Sequence, residues 1–328
     1  MHPLIDQDGD NDFTNTLATS LREFGVDVDG FSWRKAFFSR FDVLHVHWPE
    51  ALVRAESPVR SQLKALAFAS LIAFSRARRR RLVATVHNLR PHERTSRFQS
   101  AVIRLWYRAA DDRAYFTKDA VAHASLGPGH YIPHQSYSVR PASVGETSEA
   151  GAVITFGYVR RYKRLEAAIA GVSEIPELQL SIVGMPVPEA YGRQIASIAQ
   201  QFKNIRVELG SVPFSELVRR IRRSEFVLLP YENLYSSGAA MLALSAGRPV
   251  ILVASAATLE MQAEFGPAWI GVLPVDWTST HISNLVEQWR GAPPAPEPDL
   301  SGRTPDQVAI LYRRMYEGSM PRSTVGHR

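Results

Sequence analysis

The sequence predicts an α/β fold made of two doubly wound, parallel-sheet domains. Short aliphatic runs alternate with longer amphipathic segments, which is the rhythm of repeated βαβ units. The rhythm lapses once, over the Ser-, Gly- and Glu-containing residues 138–150, and then resumes. The length of 328 residues matches two domains, because one domain takes about 150 residues.

The first half supplies the elements of one domain. Its apolar, β-branched runs predict buried strands, and its periodic segments predict helices. The strands are expected at residues 1–5, 41–47, 81–87 and the end of 123–133, and the helices at 13–24, 63–75 and 97–110. Residues 1–137 therefore form an N-terminal domain, and residues 138–150 form a linker.

The second half repeats the pattern. The strands are expected at residues 152–156, 178–183, 206–209, 226–229 and 249–253, and the helices at 164–172, 187–202, 213–223 and 237–246. Residues 151–291 thus form a C-terminal domain, followed by an extended, Pro-rich connector at 292–302. Within the final segment, 303–328, Thr304 as N-cap and Pro305 in the first turn begin a helix that runs through Tyr316.

The composition is that of an ordinary soluble protein with an uneven set of cations. The net charge is +6, and because five of the 38 Lys and Arg residues are lysine, 33 are arginine. Arginine donates paired hydrogen bonds to phosphate and carboxylate groups, so phosphorylated ligands, anionic lipid and nucleic acid are all open as partners. The absence of cysteine excludes disulfides, zinc–thiolate sites and cysteine nucleophiles.

The sequence predicts neither a signal peptide nor a membrane-spanning helix. The N-terminal stretch is acidic and lacks the apolar core of a signal peptide. The longest apolar stretch, residues 63–74, contains Lys64 and is too short to cross a bilayer. We therefore expect a cytoplasmic protein that contacts a membrane only peripherally.

The loop after the first strand of the second domain is a candidate anion site. Ligands of open α/β sheets bind beyond the carboxyl ends of the strands. Gly157 follows such a strand and leads to Arg160 and Lys163, which are three residues apart. This pair can direct two cations at one anion, and a diphosphate suits it. A solvated basic surface is the alternative interpretation.

A second loop of this kind follows the strand at 226–229. A helix is expected to begin near Ser237, and the loop holds Tyr231, Tyr235, Ser236, Ser237 and Gly238. The first backbone N–H groups of a helix are unpaired and bind phosphate, and the Ser-Ser-Gly sequence lets a ligand approach them. An ordinary serine N-cap is the alternative, but two such loops in one domain favour a phosphate site.

Histidine and glutamate residues gather at one edge of the first domain's predicted sheet. Two strands end in histidine, and the adjoining loops add further polar residues: His45, His47, Glu50, His87, Asn88, His92 and Glu93. Such groups suit proton abstraction from a hydroxyl, or hydrogen bonding to a sugar. Structural histidines are the alternative, and a metal pair at His45 and His47 lacks a clear third ligand. The acidic segment with Asp8 and Asn11 either lines an acceptor pocket or is a frayed terminus.

Taken in order, these motifs resemble those of GT-B glycosyltransferases over nearly the whole chain. FDVLHVH at residues 41–47 is similar to the DVVHVH strand of many such enzymes, and TVHN at 85–88 resembles their acceptor-side histidine motif. YIPH at 131–134 resembles their IPHG segment, with Gln135 in place of glycine. GYVRRYKR at 157–164 resembles the donor-phosphate loop, and ALSAGRPV at 243–250 is similar to EAMAxGxPV.

The resemblance implies two domains facing a cleft, with the final helix crossing back to the first domain. It implies metal-independent transfer of a sugar, without a cofactor, from a GDP- or UDP-linked donor to a saccharide or a lipid-linked saccharide. The donor would be bound by Gly157, Arg160, Lys163, Tyr231, Tyr235, Ser236, Ser237 and Gly238. The acceptor would be bound by Asn11, His47, Asn88 and His92, with His87, Glu93 and Asp8 as catalytic candidates.

One departure from the family pattern affects the expected mechanism. The large retaining family four carries two glutamates eight positions apart, but Leu234 and Leu242 occupy those positions here, and Glu232 is two residues out of register. The Tyr-x-Ser-Gly form looks more like an offshoot that includes exopolysaccharide mannosyl- and glucuronosyltransferases. Retention and inversion of configuration both stay open.

The cationic run from Arg76 to Arg81 has two interpretations. It can dock the enzyme on the anionic inner face of the cell membrane, which suits a lipid-linked acceptor. It can also be the end of a buried helix, where cations complement the helix dipole.

Two further classes of protein remain as alternatives. One is a non-catalytic basic protein that binds membrane or nucleic acid, and the other is an enzyme of the same fold, such as an epimerase. The two candidate phosphate loops of the second domain explain the cations more specifically than a nucleic-acid partner does. We therefore expect no nucleic-acid partner.

Overall fold

Two parallel β-sheets, each accompanied by helices, organise the chain in a computed structural model. The structure describes residues 1, 12–87, 95–123, 125–139, 147–231, 238–292 and 297–320. The chain divides into two compact units, of which the first joins Met1–Gln135 to Gly302–Arg328 and the second is Ser136–Ser301.

The first unit contains a parallel sheet in the order β1-β2-β3-β4 within the described residues. Its elements before the second unit are α1 (Asp12–Glu23), α2 (Trp33–Phe38), β1 (Val43–Val46), α3 (Pro49–Val53), α4 (Pro58–Ala77), β2 (Arg81–Val86), α5 (Arg97–Ala109), β3 (Asp112–Tyr115), α6 (Lys118–Ala122) and β4 (His130–Tyr131). The strand expected at residues 1–5 lies almost wholly outside the described residues.

The second unit contains a parallel sheet in the order β10-β9-β8-β5-β6-β7. Its elements are β5 (Ala152–Phe156), α7 (Leu165–Ser173), β6 (Gln179–Gly184), α8 (Glu189–Ala199), β7 (Ile205–Leu209), α9 (Phe214–Arg223), β8 (Phe226–Leu229), α10 (Gly238–Ser245), β9 (Val250–Val253), α11 (Ala256–Phe265), β10 (Ile270–Leu273) and α12 (Ser279–Gly291). This is the doubly wound order, in which the direction of strand progression reverses between β5 and β8.

The predicted fold class is confirmed in its two parallel-sheet α/β units, although the elements differ in detail. The helix expected at residues 63–75 is the longer α4, because the Ser57 side chain accepts a hydrogen bond from the Arg60 amide and Pro58 opens the first turn. The connector expected to be extended ends in a 3-10 turn at Ser301–Arg303.

Alternate residues of β5 face opposite cores, because successive side chains of a strand point to opposite faces. Val153 joins an apolar cluster with residues of α7, α8 and α12, whereas Ile154 and Phe156 join a second cluster with residues of α10. The sheet is therefore covered on both faces, as parallel sheets require.

The last helix, α13 (Pro305–Glu317), belongs to the first unit and packs against α1. The Thr304 side chain accepts a hydrogen bond from the Gln307 amide at 3.3 Å, so the predicted N-cap is confirmed. Tyr312 and Met315 are fully buried. Among the described residues, every helix is too short or too polar to cross a lipid bilayer.

A buried ionic cluster ties together three strands of the first unit. Asp112 at the start of β3 accepts hydrogen bonds from Arg81 of β2, at 2.5 Å, and from His130 of β4, at 3.0 Å. Burial alone raises the pKa of Asp112, but the hydrogen bonds from His130 and Arg81 outweigh it and hold the pKa below its ordinary value. The carboxylate therefore stabilises the folded state in its charged form.

We expect Asp112→Ala to lower the free energy of unfolding of the first unit by about 3 kcal/mol, because it removes the acceptor of the buried His130 ring and of the partly buried Arg81 guanidinium. The stabilising contribution of this carboxylate is present above a pH of about 4 and is lost as the pH falls through the lowered folded-state pKa. Urea denaturation at pH 7 measures the loss. Asp29→Ala is the control, since Asp29 forms an exposed pair with Lys35, and equal losses in both variants would contradict the assignment.

Candidate functional site

The two loops singled out in the sequence follow the two strands that flank the reversal of the second sheet. β5 pairs directly with β8, through Val153 with Phe226 and Ile154 with Val227. The loop that begins at Gly157 leaves the end of β5, and Tyr231 lies just beyond β8. Ligands of doubly wound sheets bind at this reversal point, beyond the carboxyl ends of the strands.

Glycine allows the loop after β5 to lie against the end of β6. A Cβ atom at Gly184 would lie 1.9 Å from the carbonyl oxygen of Gly157, so no side chain fits there. Gly157 has a φ of +89°, which other residues rarely adopt. Beyond it, the Val159 amide donates to the Met185 carbonyl at 2.8 Å, which fixes the course of the loop toward Arg160.

Lys163 is a buried cation beside this loop. It ends the 3-10 turn Arg161–Lys163, and its Nζ donates to the carbonyl of Phe156 at 2.9 Å. The same atom lies 5.2 Å from the centre of the Tyr231 ring. Burial, and secondarily the charge of Arg160, lowers the pKa of Lys163 to about 7. A bound anion would favour the charged form and raise this pKa again.

Two aromatic residues accompany the cations. The Arg160 guanidinium lies 5.0 Å from the centre of the exposed Tyr158 ring. The Tyr231 hydroxyl is buried and has no hydrogen-bond partner among the residues that the structure describes. Burial, followed by the proximity of Tyr162, raises the pKa of Tyr231, so its hydroxyl stays protonated and can donate to a ligand.

The structure thus brings together four of the predicted donor residues: Gly157, Arg160, Lys163 and Tyr231. Gly238 is the first described residue of α10. The other three predicted donor residues, Tyr235, Ser236 and Ser237, lie outside the described residues.

Histidines meet at the carboxyl ends of β1 and β2. His47 Nδ1 and His87 Nε2 are hydrogen-bonded at 3.1 Å, and both rings are buried. The Trp48 ring stacks on His87 with centroids 3.9 Å apart, and Phe13 of α1 packs edge-on against both histidines. Burial, followed by the neighbouring His47 and His134, lowers the pKa of His87 well below its ordinary value. The ring is therefore neutral at pH 7 and can form hydrogen bonds to a sugar.

A polar network beneath this pair connects β1 and β2 to α13. His45 is hydrogen-bonded to the Tyr316 hydroxyl at 2.7 Å and to the Thr85 hydroxyl at 2.8 Å. The Thr85 hydroxyl is in turn 2.9 Å from the Tyr312 hydroxyl. The ring centroids of His45 and His47 are 4.2 Å apart, so the network packs against the His47–His87 pair through His45. His45 therefore has a structural role.

The remaining acceptor-side predictions lie outside the described residues. They are Asp8, Asn11, Asn88, His92 and Glu93. Within the described ranges, no group of three or more His, Asp or Glu side chains is arranged to hold a metal ion.

Solved structures share this fold. No protein-family model matches the chain. Sucrose-phosphate synthase from Thermosynechococcus elongatus superimposes with a TM-score of 0.59 at 16% identity, covering 94% of this chain and 80% of that one. The avilamycin A glycosyltransferase AviGT4 gives a TM-score of 0.58 at 15% identity, covering 92% and 87% of the two chains. Both are GT-B glycosyltransferases, and at this identity they show the fold alone.

A curated relative decides the family. The GDP-mannose:glycolipid 4-beta-D-mannosyltransferase of Xanthomonas campestris pv. campestris is 31% identical over 318 residues, which is 92% of this chain and 88% of the relative. The chain belongs to this family of GT-B glycosyltransferases. The expected resemblance and the expected enzyme class are both confirmed.

In this glycosyltransferase the cationic run from the end of α4 to the start of β2 is largely engaged in internal contacts. Arg76 pairs with Asp111, and Arg81 pairs with Asp112. Arg80 is buried, donates to the carbonyls of Ala36 and Ser39, and lies over the Phe41 ring. Three of the five arginines at positions 76–81 therefore make contacts within the unit.

The structure also explains one departure of this glycosyltransferase from the retaining pattern. Leu242, at the position of one family glutamate, is buried in the apolar cluster that includes Met241 and Leu244. A carboxylate would be costly in this environment. Leu234 and Glu232 lie outside the described residues.

Several residues near the site were not assigned a role from the sequence. Phe13, Trp48 and Phe116 surround His87, and His134 packs against Phe13 with centroids 4.8 Å apart. Gln135, which replaces the family glycine, donates to the Phe13 carbonyl at 3.0 Å. Tyr312 and Tyr316 are four residues apart and therefore lie on one helix face. This spacing was the one sequence feature that could have indicated their joint contact with the histidine network.

We expect Lys163→Met to stabilise the ligand-free glycosyltransferase by about 1 kcal/mol or more at pH 6, because one unit of pKa shift corresponds to about 1.4 kcal/mol. The folded-state pKa of Lys163 is below its unfolded value, so the unfolded chain holds the proton more tightly. Wild-type stability therefore rises between pH values of about 7 and 10.5, and the advantage of the variant shrinks over that window.

Urea denaturation at pH 6 and pH 9 without ligand measures this effect. Lys203→Met, at an exposed position of the same unit, is the control and should change stability little at either pH. A Lys163→Met chain that is less stable than wild type at pH 6 would contradict the burial penalty.

Proposed function

We propose that this glycosyltransferase transfers mannose from GDP-mannose to a glycolipid acceptor and releases GDP. The observation that carries the proposal is the 31% identity to GDP-mannose:glycolipid 4-beta-D-mannosyltransferase, which extends over 92% of this chain. The cationic loop after β5, which suits a diphosphate, supports it independently of the comparison. The proposal includes action at the inner face of a membrane, where a lipid-linked acceptor is available.

The donor diphosphate is held by Arg160 and Lys163 in this proposal. Lys163 is buried with a pKa of about 7, and a diphosphate beside it returns the lysine to its charged form. The Tyr231 hydroxyl and the amide groups at the start of α10 donate further hydrogen bonds. These groups stabilise the charge that develops on the leaving GDP. We therefore propose that transfer is independent of metal ions.

The acceptor lies against the histidines of the first unit. The name of the relative specifies a β-linked product, and mannose is α-linked in GDP-mannose, so the same product requires inversion. The acceptor hydroxyl oxygen then forms a bond to the anomeric carbon as the bond to GDP breaks, and the hydroxyl proton passes to a base. Glu93 and Asp8 are the proposed bases, and neutral His87 forms a hydrogen bond to the transferred sugar.

We expect GDP to raise the melting temperature more than UDP, because GDP is the leaving group of the proposed donor. A ligand that binds only the native state stabilises it by about 2.7 kcal/mol at one hundred times its Kd. Arg160→Gln should abolish most of this shift, and EDTA should leave it unchanged. Differential scanning fluorimetry with GDP, UDP and no nucleotide measures it. Arg193→Gln is the control, since Arg193 is exposed and pairs with Glu189 of its own helix. A larger shift with UDP would contradict the donor assignment.

We expect His87→Ala to lower kcat for mannose transfer by about a hundredfold, the magnitude for removing one donor to a developing charge. The shift caused by GDP should be unchanged, because GDP binds to the second unit in this proposal. The assay follows incorporation of labelled mannose from GDP-mannose into extracted lipid. His123→Ala is the control, at an exposed histidine of the same unit. No transfer by the wild type to any lipid fraction would overturn the proposed function.

A further inference from the structure

Three helices of the first unit carry positive charge and no negative charge. The helices α2, α4 and α5 hold eight Arg and Lys residues between them and no Asp or Glu. The helices of the second unit differ, since α8, α9 and α12 each mix acidic and basic residues. The three helices therefore carry a net positive charge, which attracts anionic partners.

The same helices expose large apolar side chains. On α4, Leu63 and Leu66 are 61% and 57% exposed, and on α5, Leu105 is 44% exposed. The full set is Phe38, Val59, Leu63, Leu66, Phe98 and Leu105. Their spacings of three, four and seven residues place the members of each helix on one stripe.

The stripes lie on one side of the first sheet. β1, β2 and β3 are consecutive neighbours in parallel, and α4 and α5 are the connections between them. Such connections are right-handed in nearly all proteins, so both helices cover the same side of the sheet. α4 packs on α5 through Phe68 and Trp106, with centroids 5.5 Å apart, and α2 packs on α4. We call the exposed surface of these three helices the α2–α4–α5 face.

Arginines with no ion pair among the described residues lie next to the apolar stripes. Arg60 on α4 and three arginines of α5, Arg97, Arg104 and Arg108, are exposed. They differ from Arg76, which pairs with Asp111. These four arginines of the α2–α4–α5 face are thus available for an external partner, whereas Lys35, Lys64 and Arg76 of the same helices are engaged in internal contacts.

We propose that the α2–α4–α5 face docks the enzyme on an anionic lipid bilayer. Apolar side chains bounded by arginine suit the boundary between headgroups and acyl chains, where each basic residue adds electrostatic attraction. A second copy of the chain is a poor fit, because two such faces would bring like charges together. The proposal rests on the proposed function in that a glycolipid acceptor resides in a bilayer, but the face is assigned from its own exposure and charge.

The test is vesicle flotation of the full chain with phosphatidylcholine alone and with equal parts of phosphatidylcholine and phosphatidylglycerol. The wild type should bind the anionic vesicles only, and added salt should weaken binding. The variant R97Q/R104Q/R108Q should bind about a hundredfold more weakly, since each basic residue near the surface contributes about a fivefold factor. The variant L63Q/L66Q/L105Q should lose at least about tenfold, because it removes apolar area that enters the bilayer.

A matched control removes three exposed cations from the second unit. The variant R193Q/K203Q/R206Q should bind anionic vesicles within about twofold of wild type, because these residues lie outside the face. Equal loss in the control and in R97Q/R104Q/R108Q would overturn the proposal, and so would absence of wild-type binding to anionic vesicles. A concentration-dependent dimer that L63Q/L66Q/L105Q dissociates would assign the face to a second copy instead.

Stabilisation by GDP is measured on the same preparations. It should be unchanged in all three triple variants, which also shows that they are folded. If a variant loses vesicle binding but GDP still raises its melting temperature, the substitutions have affected membrane docking and not the fold or the donor site. If GDP does not raise the melting temperature of the wild type but the wild type still binds anionic vesicles, the proposed donor is wrong and the docking proposal stands.

Discussion

The parallel pairing of β5 with β8 is the constraint on which the proposed donor site depends. It brings the loop after one strand beside the loop after the other, although some seventy residues separate them. Lys163 and Tyr231 meet there, and burial, followed by the charge of Arg160, lowers the pKa of the lysine to about 7. Burial of this cation is unfavourable for the empty enzyme and favourable for an anionic ligand, because the ligand replaces the solvation that folding removed. The local cost in stability and the proposed binding of a diphosphate therefore have one cause.

The pairing of β1 with β2 has the same effect in the first unit. It sets His47 beside His87, and a ring of aromatic side chains removes water from both. Desolvation keeps His87 neutral, as its lowered pKa indicates, so it offers hydrogen bonds rather than charge. The fold thus places a cationic site in one unit and neutral polar groups in the other. The proposed reaction needs both environments, one for a negatively charged leaving group and one for an uncharged sugar.

The sequence predicted the strands flanking both sites, because their aliphatic runs are long and the residues after them are distinctive. It also predicted the N-cap at Thr304, where Pro305 adds a second local signal. β3 was missed because Asp112 and Arg113 make half of this four-residue strand charged, and their burial depends on partners distant in sequence. The burial of Lys163 was missed for a related reason, since a lysine in a basic loop gives no local sign that it is desolvated.

The arginines show most clearly that composition alone does not predict the role of a residue. Arg80 and Arg104 both lie in cationic stretches, yet one is buried against two carbonyl groups and the other is exposed on a helix without acidic residues. Arg80 lies in the turn between α4 and β2, whereas Arg104 lies on the exposed side of α5, and composition alone distinguishes neither position. The sheet that carries His47 and His87 at its carboxyl edge also carries α4 and α5 on one side. In the proposed arrangement, a glycolipid can therefore keep its lipid in the bilayer under this face while its sugar extends to the histidines of the same unit.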